Sequence, residues 1–175
     1  MTDRSPASLT LVLGGARSGK SRYAEALCLE AAGDPLYLAT SQPLDAEMAA
    51  RVARHRAERD RRWRTVEEPL MLAERLAELA APGRIVLVEC LTLWLTNLMV
   101  AGRDVAAESA GLVRLLPDLA GPVVLVSNEV GQGIVPANAM AREFVDHAGR
   151  LHQAIARAAD RVVLLVAGLP VMVKG

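Results

Sequence analysis

Five short apolar runs punctuate the chain: Leu9–Leu13, Leu36–Ala39, Ile85–Glu89, Val123–Asn128 and Val162–Ala167. None alternates with polar residues, the pattern of strands covered on both faces. Helical patterns fill the intervals. Ser21–Ala32 ends at Gly33, and Asp45 is placed to cap a helix running towards Asp60. Pro69 fits the first turn of a helix to Leu79, closed by Pro82-Gly83. Leu91–Ala101 is apolar nearly all round, which predicts burial or a subunit contact. Val105–Leu116 and Asn138–Ala159 complete the set. Strands alternating with helices predict an α/β fold, a mostly parallel sheet with helices on both faces. Ligands then sit at the carboxyl ends of strands. The polar residues found there are Thr40, Ser41 and Gln42, then Glu89, then Asn128 and Glu129.

The first strand leads into GGARSGKS, Gly14 to Ser21, and a helical stretch follows. This is the phosphate-loop pattern G-x-x-x-x-G-K-[ST] in its proper strand–loop–helix setting. Gly14, Gly15, Ala16, Arg17, Ser18, Gly19, Lys20 and Ser21 are thus nucleotide-binding candidates. Glycines let the backbone turn its N–H groups towards phosphate oxygens, and the helix N-terminus adds to that field. Lys20 reaches the outer phosphates and Ser21 is a Mg²⁺ ligand in this reading. The pattern implies a nucleoside triphosphate but not what is done with it.

Composition narrows the class. At 175 residues, 52% of them hydrophobic, the chain has enough apolar mass for one domain. Residues 9–175 read as a single phosphate-loop domain and residues 1–8 as a flexible tail. Twenty basic and twenty acidic residues balance, which argues against nucleic acid or a membrane surface as partner. No apolar run approaches the roughly 18 residues of a membrane span. The polar start MTDRSPAS has no signal-peptide core, so a cytoplasmic protein is expected. Cys28 and Cys90 are too few for a disulfide or zinc framework.

Glu89, at the end of IVLVE, is placed to organise Mg²⁺, with Glu129 in SNEVGQG a competing carboxylate. The segment RVARHRAERDRRWRTVEE gathers Arg51, Arg54, Arg56, Arg59, Arg61, Arg62 and Arg64 around His55. Arginines suit polyphosphate; a solvated face paired with Glu58 and Asp60 is the plainer reading. At helical spacing His55 shares a face with Met48 and Val52. It is either a hydrogen-bonded structural histidine or a nucleophile, since neutral imidazole is available near pH 7. His147 and His152, on the last helix, read as structural.

The blocks GGARSGKSRYAEAL, YLATSQPLDAEMAARVARHR, WRTVEEP, LVECLTLWLTNLM and VSNEVGQGIVPANAMAREFVDHAGRLHQAIARAADRV occur in that order. They resemble the bifunctional adenosylcobinamide kinase / adenosylcobinamide-phosphate guanylyltransferase family of cobalamin biosynthesis, from Leu9 almost to the C-terminus. The resemblance implies a RecA-like P-loop NTPase fold and a homotrimer. It also implies two reactions: phosphorylation of adenosylcobinamide by ATP or GTP, then GMP transfer from GTP to adenosylcobinamide phosphate through a GMP–histidine intermediate. On it His55 becomes the nucleophile; Lys20, the phosphate-loop lysine, is the other catalytic residue, its charge serving polyphosphate in both steps. Thr40, Ser41, Arg56, Ala57, Glu58, Arg59, Glu67 and Glu89 become GTP contacts; Glu67 has no other claim. One departure is His152-Gln153, where the family pattern has Asn-Gln. The competing readings are a plain small-molecule kinase and a nucleotide-binding module that docks through Leu91–Ala101.

Overall fold

The computed structural model describes residues 9–42 and 59–175. The tail expected over residues 1–8 and the helix expected from Asp45 lie outside the described residues. Seven strands form one sheet: β1 (Leu9–Gly14), β2 (Asp34–Ala39), β3 (Arg64–Glu67), β4 (Arg84–Glu89), β5 (Val123–Asn128), β6 (Arg161–Val166) and β7 (Leu169–Lys174), in the order β3-β2-β4-β5-β1-β6-β7. Every pairing is parallel except β6 with β7. The described helices are α1 (Lys20–Glu30), α2 (Leu72–Leu79), α3 (Leu91–Val100), α4 (Val105–Leu115) and α5 (Ala139–Ala158), with a 3₁₀ turn at Leu116–Asp118.

Successive strand residues point to opposite faces, and each face has its own core. Leu11, Leu38, Val86, Val88 and Leu125 pack with Leu72, Leu76, Trp94, Leu98, Leu112 and Ile155 of the other four helices. Val12, Tyr37, Leu87, Val124 and Val126 pack with Ala24 and Cys28 of α1. That double burial explains why the strand sequences do not alternate.

All five expected strands are present, with ends shifted by two residues or fewer. Two further strands were not expected. β3 is four residues of RTVE on the sheet edge. β7 carries Pro170 and is exposed along its length, and it returns from β6 through Ala167 (φ 52) and Gly168 (φ 82). Positive φ at both turn residues suits a two-residue hairpin. The helix expected from Pro69 starts instead at Leu72, because the Glu68 carboxylate takes the N–H groups of Leu70 and Met71. The apolar helix α3 is interior: Leu91, Thr92, Trp94, Leu95, Asn97 and Leu98 are all buried. Most of its apolar surface is thus spent on the core, with Leu93 and Met99 half-buried and Val100 exposed.

Candidate active site

Three strand ends and one helix start converge at the carboxyl edge of the sheet. β1 ends on Gly14, whose carbonyl accepts the Glu129 N–H at 3.0 Å. The loop then tightens through a Ser18 N–H to Gly15 carbonyl bond of 3.2 Å. Gly19, at φ 91, turns the chain into α1, a conformation that favours glycine. The β6–β7 turn braces the loop, with the Gly168 N–H donating to the Ser18 carbonyl at 2.9 Å. Gly14 is packed so closely that an added Cβ would meet the Leu165 carbonyl at 3.0 Å and collide with Ser18 Oγ. The first-turn N–H groups of α1 have no intrahelical acceptors, so the loop and helix present a field suited to an anion. Lys20 is buried and folded back, its Nζ donating to the Gly15 carbonyl at 3.3 Å.

Ser21 Oγ donates to Glu89 Oε1 at 2.9 Å, joining α1 to the end of β4. Glu89 Oε2 is out of contact with solvent and has no hydrogen-bond partner. Burial pushes the Glu89 carboxyl up to about 7, against the lowering by the Ser21 hydrogen bond and the Lys20 charge. A carboxylate with one buried, unpartnered oxygen beside a serine of the first turn of α1 is where a cation would relieve the burial. Glu129 is placed differently. Its Oε1 takes its own loop's Gly131 N–H at 2.6 Å, and it lines an open cavity of about 440 Å³ on the β6 flank with Arg17, Ser18 and Gln132. Of the two competing carboxylates, Glu89 is the one that meets Ser21.

The opposite flank is formed by the ends of β2 and β3. Thr40 is fully buried, and its hydroxyl donates to the Cys90 carbonyl at 2.8 Å and accepts the Cys90 N–H at 2.9 Å. Its side chain thus ties β2 to the residue after Glu89, leaving half-buried Ser41 nearer the surface. Glu67 pairs in register with Ala39 and is exposed at the end of β3. Arg59 lies with its guanidinium carbon 3.4 Å from the centroid of the Tyr37 ring. It donates from Nη1 to Thr65 Oγ1 at 3.0 Å, while its buried Nε has no partner. Trp63 meets Tyr37 edge to face at 5.7 Å. Arg62, by contrast, is an exposed partner of Asp60 at 3.0 Å, the solvated role foreseen for the cluster.

His55, Arg56, Ala57 and Glu58 lie outside the described residues. His152, read from sequence as structural, is buried close to a strand end: its Nε2 is 2.7 Å from Ser127 Oγ, in β5 beside Asn128. Burial lowers its proton affinity. His147 lies 3.6 Å from Glu143 on the same helix. Reasoning from sequence missed Asn97, Thr92 and Tyr37. Asn128 Nδ2 donates to Thr92 Oγ1 at 2.8 Å, and Asn97 bonds both Thr40 and Pro69. The available signal was two threonines and an asparagine, Thr92, Thr96 and Asn97, inside an otherwise apolar helix, since buried polar groups need partners.

The profile of the family described as cobinamide kinase / cobinamide phosphate guanyltransferase (CobU) matches residues 10–173. The chain is 52% identical over 167 residues to the bifunctional adenosylcobalamin biosynthesis protein CobP of Pseudomonas aeruginosa, covering 94% of this chain and 96% of that protein. It is 45% identical over 181 residues to the bifunctional adenosylcobalamin biosynthesis protein CobU of Escherichia coli, covering 95% and 99%. Among solved structures, the P4 protein of bacteriophage phi6 in complex with ADP aligns with a TM-score of 0.54 at 19% identity, over 97% of this chain and 56% of that one. A type III secretion system ATPase of pathogenic bacteria aligns with a TM-score of 0.55 at 12% identity, over 94% and 56%. The chain spans little more than half the length of these two, and the likeness is one of fold: RecA-like, with a phosphate loop. The chain is an enzyme and belongs to the cobinamide kinase / cobinamide phosphate guanyltransferase family.

Proposed function

We propose that the protein phosphorylates adenosylcobinamide with ATP or GTP and then transfers GMP from GTP to the product, giving adenosylcobinamide-GDP and pyrophosphate. The observation that carries this reading is the Ser21–Glu89 pair beneath the glycine loop, with Glu89 Oε2 buried and vacant. In the first step the aminopropanol hydroxyl oxygen bonds to the γ-phosphorus. The nucleoside diphosphate leaves, and the hydroxyl proton passes to a base. Lys20 swings from the Gly15 carbonyl to the outer phosphates, and loop N–H groups hold the spreading charge. In the second step a ring nitrogen of His55 attacks the α-phosphorus of GTP and expels pyrophosphate. A phosphate oxygen of adenosylcobinamide phosphate then displaces the histidine, breaking the N–P bond and freeing the imidazole.

Mg²⁺ fits the site. Among the described residues no group of three or more His, Cys, Asp or Glu could hold an ion alone. Ser21 and Glu89 would hold the ion through two oxygens, leaving the rest of its oxygen-rich shell to triphosphate and water. Bound there, the ion would neutralise charge on the phosphates. Ser41, Arg59 and Glu67 meet the nucleotide from the β2–β3 flank, with Arg56, Ala57 and Glu58 contributing from the same stretch of chain; Thr40, fully buried and bonded to Cys90, supports that flank from beneath. The enzyme works as a cytoplasmic homotrimer. Among the described residues no helix is long and apolar enough to cross a membrane. Exposed apolar residues at Ile134, Val135, Leu169 and Val173 support a subunit contact.

Incubating the protein with adenosylcobinamide, Mg²⁺ and ATP, then adding GTP, tests both steps. Chromatography should show the phosphate first and adenosylcobinamide-GDP second, with one pyrophosphate per guanylylated product. The phosphate alone, without pyrophosphate release, would reduce the enzyme to a kinase.

A further inference from the structure

Asn97 is buried in α3, a helix otherwise made of Leu, Trp, Met, Val and two threonines, Thr92 and Thr96. Its Nδ2 donates both hydrogens, one to the Thr40 carbonyl at 2.7 Å and one to the Pro69 carbonyl at 3.0 Å. Those acceptors lie 57 and 28 residues away in sequence. They follow the last ladder residues of β2 and β3, where the sheet no longer supplies donors. Two further bonds hold the same region. The Glu68 N–H reaches the Ala39 carbonyl at 2.9 Å, and Trp94 Nε1 donates to the Leu70 carbonyl at 2.8 Å. The Thr40 hydroxyl is bound to Cys90, next to Glu89. One buried amide therefore fixes the end of β2 and the end of the edge strand β3 relative to the carboxylate at the phosphate loop.

We propose that Asn97 is a positioning residue for the nucleoside half of GTP: it clamps the ends of β2 and β3, bearing Ser41 and Glu67, at a set distance from the phosphate loop. The inference rests on the proposed guanylyl-transfer reading. The loop takes the phosphates, so the β2–β3 flank is left to meet guanosine. The two carbonyls account for a polar side chain at this buried position, since buried acceptors need donors. Asn97 touches no substrate and acts through Thr40 and Pro69.

Asn97→Leu keeps the side-chain shape and removes both donors. Equilibrium binding of Mg·GTP and of Mg·tripolyphosphate to the whole protein separates the roles. The expected result is a dissociation constant for GTP raised tenfold or more, with tripolyphosphate binding changed less than twofold. In guanylyl transfer the KM for GTP should rise by a similar factor while kcat changes less than threefold. Equal weakening of both ligands, or unaltered GTP binding, would overturn the assignment. If the leucine variant does not fold, Asn97→Ser, which keeps a single short donor, takes its place, with at least a threefold loss for GTP alone. Absence of GMP transfer by the wild type would sink the functional reading; the binding comparison would still decide the role of Asn97.

Discussion

Ser21 and Glu89 stand 68 residues apart in sequence, yet Ser21 Oγ donates to Glu89 Oε1 at 2.9 Å. The bond joins the start of the helix after the phosphate loop to the end of a strand two places away in the sheet. The second Glu89 oxygen is buried and unpartnered, and a Mg·triphosphate bound at the loop would supply the missing partner.

Glu89→Gln should therefore separate stability from function. A buried carboxylate held at about 7 instead of an ordinary 4.5 costs on the order of 3 kcal/mol when ionised. The amide avoids that cost and can still bond Ser21. At pH 8 the ligand-free variant should melt several degrees above the wild type in calorimetry, while its affinity for Mg·GTP falls at least tenfold. A lower melting temperature would show that the carboxylate is not the strained group.

Lys20→Ala should reduce both reactions by about 100-fold or more, since one lysine serves polyphosphate in each. Kinase and guanylyl-transfer rates measured on one preparation check this. Loss of one rate only would mean two phosphate sites.

Gly14→Ala tests the tightness of the loop. The new methyl group meets the Leu165 carbonyl at 3.0 Å and Ser18 Oγ closer still, so β6 or the loop must shift. Overpacking of this kind costs about 1–3 kcal/mol. Chemical denaturation should show that loss, together with weaker nucleotide binding. Unchanged stability and binding would mean that the loop has room.

The His152–Ser127 pair sets an acid limit on stability. Burial holds the ring's proton affinity below its ordinary 6.5, so the unfolded chain binds this proton more readily than the fold. The stabilisation is present above about pH 6.5 and is lost as pH falls through the lower folded value, by up to about 1.4 kcal/mol per pH unit. His152→Gln should flatten the fall between pH 6.5 and 5 while losing about 1 kcal/mol at pH 7.5 from the altered Ser127 bond. Denaturant midpoints at a series of pH values give the comparison; parallel profiles would contradict it.

The legible parts were those governed by local rules. The glycine loop, Ser21 and the strand-end Glu89 follow from a motif and from strands that carry ligands at their carboxyl ends. Leu- and Val-rich β1, β4, β5 and β6 could be read because both of their faces are buried. β3 could not, because Arg64, Thr65, Val66 and Glu67 lie on an edge and carry little apolar signal. β7 was hidden by Pro170, which an edge strand tolerates. The Asn97 clamp depends on contacts across 57 residues, and no local pattern names its partners. Arg59 was visible as one charge among seven. Only the fold sets it against Tyr37 and Thr65 and apart from solvated Arg62.

Guanylyl transfer through His55 is tested most directly with GTP labelled in its α-phosphate. Wild-type protein with Mg²⁺ should retain acid-labile, alkali-stable label on the peptide containing His55, and adenosylcobinamide phosphate should discharge it. His55→Ala protein should retain none while still binding GTP. Label persisting in His55→Ala at the wild-type level would contradict that chemistry.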